Sequence, residues 1–101
     1  MPSPTPQPTT GGSGTPVAIV AGASTRTSNA FAPNPISVTA GATVTWTNND
    51  TVAHTSTADN GQWNSGSIAP QGSFSRMFPA AGTFTYHCTI HPGMVGTVNV
   101  Q

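Results

Sequence analysis

The segment YHCTIHPGM, residues 86–94, holds the single cysteine of the chain, Cys88, two of its three histidines, His87 and His91, and one of its three methionines, Met94. Cys88, His91 and Met94 follow the pattern Cys-x-x-His-x-x-Met. If this stretch is a strand end followed by a tight turn, a thiolate, an imidazole and a thioether converge on one point. Such donors are soft, and softness selects copper over calcium, magnesium or manganese. Zinc accepts Cys and His but rarely a thioether. One more ligand is needed, and His54, thirty-four residues before Cys88, is the best candidate. Two imidazoles and a thiolate near one plane, with a long axial methionine sulfur, form the blue-copper electron-transfer arrangement.

Each residue also has a plainer reading. A lone cysteine is often a small buried apolar side chain. It can also be a nucleophile with His91 as its base, but no orienting partner or oxyanion donors are evident. His54 and His91 can be loop histidines, and Met94 a core residue beside Val95. The co-occurrence of the right types at the right spacing favours ligation over these. His87 serves as the control. It adjoins Cys88, yet strand alternation turns it to the opposite face, so it is not expected to be a ligand. Met77 has no ligand types near it and reads as packing.

The elements that must position these side chains read as strands. Leu, Lys and Glu do not occur, and Pro and Gly punctuate the chain, so helix signals are nearly absent. Strand patterns recur at VAIVA (17–21), PISVTA (35–40), ATVTWTN (42–48), GSFSRMF (72–78), TFTYHC (83–88) and VGTVNV (95–100). Within them Ile36 and Val38, Val44 and Trp46, and Phe84, Tyr86 and Cys88 share faces. Alternation of this kind means one buried face and one wet one. Short strands separated by turn signals such as Ala40-Gly41 and Asn60-Gly61 predict an all-β sandwich or barrel with little or no helix. Arg76 fits poorly, because it shares the phase of Phe74 and Phe78. A bulge or an end-of-strand position is needed to keep its charge wet. Trp46 reads as core, and Trp63, in a polar loop, as packing or as a partner contact.

Composition narrows the function. In 101 residues there are two basic and two acidic side chains, and charged residues make up 4%, against about a quarter in an ordinary soluble domain. No basic patch exists, which argues against nucleic acid as a partner. No apolar run is long enough to cross a bilayer, and no retained signal segment is evident. One cysteine excludes an internal disulfide and a dinuclear copper centre that needs two. Residues 1–16, MPSPTPQPTTGGSGTP, have no large apolar side chain after Met1 and read as a disordered linker, possible tether to a membrane anchor or a neighbouring domain. The folded domain is expected over residues 17–101. Asn49-Asp50-Thr51 matches the N-glycosylation pattern, which occurs often by chance.

The chain resembles the cupredoxin family, the small blue copper proteins, from about Val17 to Gln101. The resemblance rests on GATVTWTNNDTVAHT, GSFSRMF and GTFTYHCTIHPGMVGTVNV. The last stretch is most similar to the plastocyanin and amicyanin branch, and the two-residue gap between His91 and Met94 matches the short amicyanin-type ligand loop. The resemblance implies a Greek-key β-sandwich with one type 1 copper ion, cycling Cu(I)/Cu(II), at one end. It implies His54, Cys88, His91 and Met94 as ligands. Many members carry Asn after the first ligand histidine, where it ties two ligand loops together; here that residue is Thr55. The pattern implies that the Thr55 N–H donates to the Cys88 sulfur, and the hydroxyl can stand in for part of the Asn, toward Thr89.

The expectation is therefore an electron carrier and not an enzyme, monomeric and exported to the periplasm, the cell surface or the extracellular space. The family places the loop histidine, here His91, at the electron's exit through an apolar patch. Val52, Ala53, Ile90, Pro92, Gly93 and Met94 are candidates for that patch, which transient redox partners would contact. Weak charge implies weak steering and little salt dependence. The alternatives are a copper chaperone or storage module, and an electron-transfer domain of a larger copper oxidoreductase. A chaperone site is usually built from several Met or Cys residues, and only one Cys is present.

Overall fold

Eight short strands make two sheets in the computed structural model, which describes residues 14–101. The strands are β1 (Thr15–Ile19), β2 (Phe31–Ala32), β3 (Ile36–Val38), β4 (Thr43–Asn48), β5 (Thr57–Ala58), β6 (Ser73–Met77), β7 (Gly82–His87) and β8 (Val95–Val100), with one 3-10 turn at Ala23–Thr25. One sheet runs β2-β1-β4-β6 and the other β3-β8-β7-β5. β1 lies parallel to β4 and β3 parallel to β8, while the remaining pairs are antiparallel. The chain passes from sheet to sheet between most consecutive strands, giving the expected Greek-key sandwich. No helix of the described residues is long and apolar enough to cross a membrane.

The strand readings hold to within a few residues at their ends. β1 begins at Thr15, so Thr15 and Pro16, read from sequence as linker, pair with Val44 and Thr45 of β4. The rest of the linker reading lies outside the described residues. The turn between β3 and β4 forms as expected, with Gly41 at φ 93°, a backbone conformation that a side chain resists. Its N–H donates to the Phe78 carbonyl, extending the β4–β6 ladder by one step.

With no leucine to fill it, the core is aromatic and β-branched. Trp46 is fully buried at its centre and meets Trp63, Phe74, Phe78 and Tyr86, ring centroids 5.4–6.4 Å apart. Such tilted and edge contacts suit aromatic quadrupoles. Trp63 is therefore packing: it is buried and its Nε1–H donates to Ser56 Oγ at 3.1 Å. Tyr86 lies directly opposite Gly96 in the β7–β8 ladder, and a Cβ at Gly96 would sit 2.4 Å from the Tyr86 Cζ. Arg76 needs no bulge. The β4–β6 register is continuous through Val44–Arg76, and the guanidinium lies over the rings of Trp63 and Phe78 at 4.9 and 4.7 Å. The charge thus stays at the rim while its stem covers aromatic surface. Alternation also has one exception: Thr45, on the face expected to be wet, is buried and shares a hydrogen bond with Ser75 Oγ at 2.8 Å.

Candidate metal centre

The two sequence regions meet at one end of the sandwich. Cys88 stands one residue past β7, and its N–H donates to the Met94 carbonyl at 3.1 Å. The Met94 N–H donates to the His91 carbonyl at 2.9 Å. These two bonds close residues 88–94 into the tight turn that joins β7 to β8. His54 lies between β4 and β5 and is pinned by a two-bond bridge to Ile68. Asn48 braces the approach: its Nδ2 donates to the carbonyls of Val52 and Ile68, and its Oδ1 accepts from the Asp50 N–H.

The geometry brings three of the four expected donors into one cluster, and the described residues contain no other such group of His, Cys, Asp or Glu. The Cys88 sulfur is 3.7 Å from His54 Nδ1 and 3.9 Å from His91 Nδ1, and the two nitrogens are 3.2 Å apart. A point equidistant from the corners of that triangle lies about 2.1 Å from each, within the range of metal–nitrogen and metal–thiolate bonds, about 2.0–2.3 Å. The donors therefore fit a small soft metal ion in near-trigonal coordination. Cys88 and His54 are fully buried and His91 is partly exposed. Met94, three residues after His91, is fully buried, which removes it from the apolar surface patch where it was a candidate.

Thr55 fills the role that the sequence reading gave it. Its N–H donates to the Cys88 sulfur at 3.3 Å. Its Oγ1 accepts from the Thr89 N–H at 2.9 Å and shares hydrogen bonds with the hydroxyls of Thr57 and Thr89. One hydroxyl thus joins the His54 segment to the Cys88 turn. His87 faces away, as alternation requires, and its Nδ1 meets the Asp59 carboxylate.

Asp50 was missed. The sequence places it only in a glycosylation pattern, yet its Oδ2 lies 2.7 Å from His54 Nε2. The hydrogen bond from His54 and those from the Gly22 and Thr51 N–H groups hold its carboxyl down at about 2, despite burial. A signal was available in the four-residue spacing of an acid and a histidine in a chain with two acids.

A family model of copper-binding proteins, the plastocyanin/azurin family, matches residues 18–101. The chain belongs to this family. Plastocyanin from Scenedesmus fuscus is 37% identical over 84 residues, covering 70% of this chain and 86% of its own. Among solved structures, a purple cupredoxin from Nitrosopumilus maritimus superposes with a TM-score of 0.79 at 31% identity, covering 86% of this chain and 99% of that one. The Cu(I) form of an amicyanin variant gives a TM-score of 0.76 at 26% identity over 97% of this chain and 95% of the other. This cupredoxin is an electron-transfer protein with a single copper ion, not an enzyme. Its electrons pass to and from other proteins.

Proposed function

We propose that His54, Cys88, His91 and Met94 would hold a type 1 copper ion, and that electrons would enter and leave through the edge of His91. The donor triangle, buried at two corners and partly open at the third, carries this reading. The bound ion supplies a one-electron couple, and the protein's part is to keep its surroundings nearly unchanged across that couple. The His54–Ile68 bridge pins one donor segment, and the Thr55 hydroxyl ties it to the other. The Thr55 N–H draws charge from the thiolate, one of the levers that sets a potential. Burial of Cys88 and His54 keeps water from the sulfur and the deeper imidazole.

His91 is the donor nearest solvent. Val52 and Ile90 beside this end are 43% and 49% exposed, and with Ala53, Pro92 and Gly93 they supply an apolar surface of the kind small transient redox contacts use. The reading includes a monomeric, exported carrier, with the residues before β1 as a linker to an anchor or a further domain. The test is an absorption spectrum after adding Cu(II) to the parent and to Cys88→Ser. An intense visible band in the parent that Cys88→Ser abolishes supports the ligand set. Absence of the band in the parent, or its persistence in the variant, overturns it.

A further inference from the structure

Two histidines of the donor cluster look alike in sequence but stand in different surroundings. The far nitrogen of His54 faces a carboxylate. Asp50 is one of two acidic residues in the chain, and it is buried at 5% exposure. Its Oδ1 accepts from the backbone N–H groups of Gly22, at 3.0 Å, and Thr51, at 2.8 Å. Its Oδ2 is left to His54 Nε2 at 2.7 Å. The other acid, Asp59, faces His87 on the outer surface, so no carboxylate serves His91.

We infer that Asp50 is a positioning residue for His54: it fixes the proton on Nε2, aims the Nδ1 lone pair at the centre, and biases the copper couple toward Cu(II). This rests on the ligand set proposed above. A carboxylate can only accept, so the nitrogen facing it must carry the hydrogen. Nδ1 then presents a lone pair toward Cys88 Sγ and His91 Nδ1. A negative charge behind the imidazole makes it a stronger donor and stabilises the more positive oxidised state over the reduced one. The three hydrogen bonds to the carboxylate keep it in place without a counter-cation. Asparagine cannot reproduce this. With its Oδ1 on the two backbone N–H groups, its Nδ2 would face the Nε2–H, donor against donor; flipped, it would set Nδ2 against those backbone donors.

The test begins with the unmodified, metal-free chain and needs no variant. Long-range proton–nitrogen NMR correlations at mildly alkaline pH report the tautomer of each histidine. His54 is expected with its hydrogen on Nε2; a dominant Nδ1–H tautomer overturns the inference. The second arm compares parent, Asp50→Asn and Asp50→Ala after loading with Cu(II). Removing the charge is expected to shift the Cu(I):Cu(II) ratio at fixed ambient potential about tenfold toward Cu(I), which is about 59 mV for one electron. Cu(II) affinity, measured by competition with a chelator, is expected to fall about 10–100-fold. Unchanged potential and affinity in a folded variant overturn the inference while a blue parent leaves the ligand set standing. A colourless parent overturns the ligand set, and the metal-free tautomer still decides whether Asp50 orients His54. If neither variant folds, the tautomer of the parent decides alone.

Discussion

The hydroxyl of Thr55 joins the two donor segments, and its removal can be followed at a single amide. Thr55→Val keeps the shape of the side chain and deletes the acceptor that the Thr89 N–H uses at 2.9 Å. An unpaired buried donor costs about 1–3 kcal/mol. Thr89 is itself exposed, so water replaces part of the bond and the lower half of that range, about 1–2 kcal/mol, applies. For a domain of this size each kcal/mol lowers Tm by about 4–8 °C, so the metal-free variant is expected to melt roughly 5–15 °C below the parent. Thr55→Ser is the control. It loses a methyl group from a buried site, about 0.8 kcal/mol, but keeps the hydroxyl. Stability alone therefore does not separate the two variants; hydrogen exchange at the Thr89 amide does. That amide is expected to exchange about tenfold faster in Thr55→Val, since about 1.4 kcal/mol is a factor of ten, and at the parental rate, corrected for global stability, in Thr55→Ser. Equal Thr89 protection in all three proteins would refute the idea that this hydroxyl ties the segments.

Three further outcomes are expected. Gly96→Ala would bring a Cβ to 2.4 Å from Cζ and 2.5 Å from Oη of the fully buried Tyr86, and such overpacking costs about 1–3 kcal/mol; an unshifted denaturation midpoint would contradict that packing. Asp59 has its carboxyl held below its usual value of 3.8 by hydrogen bonds from the Thr85 side chain and from His87. A depressed folded-state value adds stability above the unfolded value and loses it as pH falls through the folded one. Asp59 is exposed, so screening limits the effect to below about 1 kcal/mol. The parent should therefore lose slightly more stability than Asp59→Asn between mildly acidic pH and pH values below 3.8, and parallel stability curves would dismiss the pair. Electron exchange with a protein partner should respond weakly to added salt, because the formal net charge is zero and two of the three histidines already face the two acids; a steep fall in the second-order rate would contradict this.

The long strands were legible because β4, β7 and β8 run six residues each, enough for period-two alternation to show. β2 and β5, two residues each, are too short to carry a period and exist only because a neighbouring strand offers them a ladder. Arg76 misled because alternation distinguishes inside from outside, whereas this side chain does both, with its stem over two aromatic rings and its head at the rim. The donor types were legible at residues 88–94 because one short turn supplies them. His54 was legible only by type, and its surroundings were not. Asp50 reads locally only as the middle of a glycosylation pattern; its partners, Gly22 and His54, lie 28 residues before it and four after it, and only the fold brings the first within reach. Met94 misled in the other direction, since a loop position beside Pro92-Gly93 suggests exposure while the two backbone bonds of the turn carry it inward.

The turn that joins β7 to β8 has a topological consequence. On the ligand set proposed here, a metal bound by His54 and Cys88 connects positions 34 residues apart and fastens the crossing between the sheets to the end of their longest antiparallel ladder. This chain has no disulfide, and a covalent cross-link closing a loop of that length would restrict the unfolded chain by about 4 kcal/mol. The ion acts as a removable staple of similar reach. Charge transport and mechanical closure of that end of the sandwich would then rest on the same few bonds.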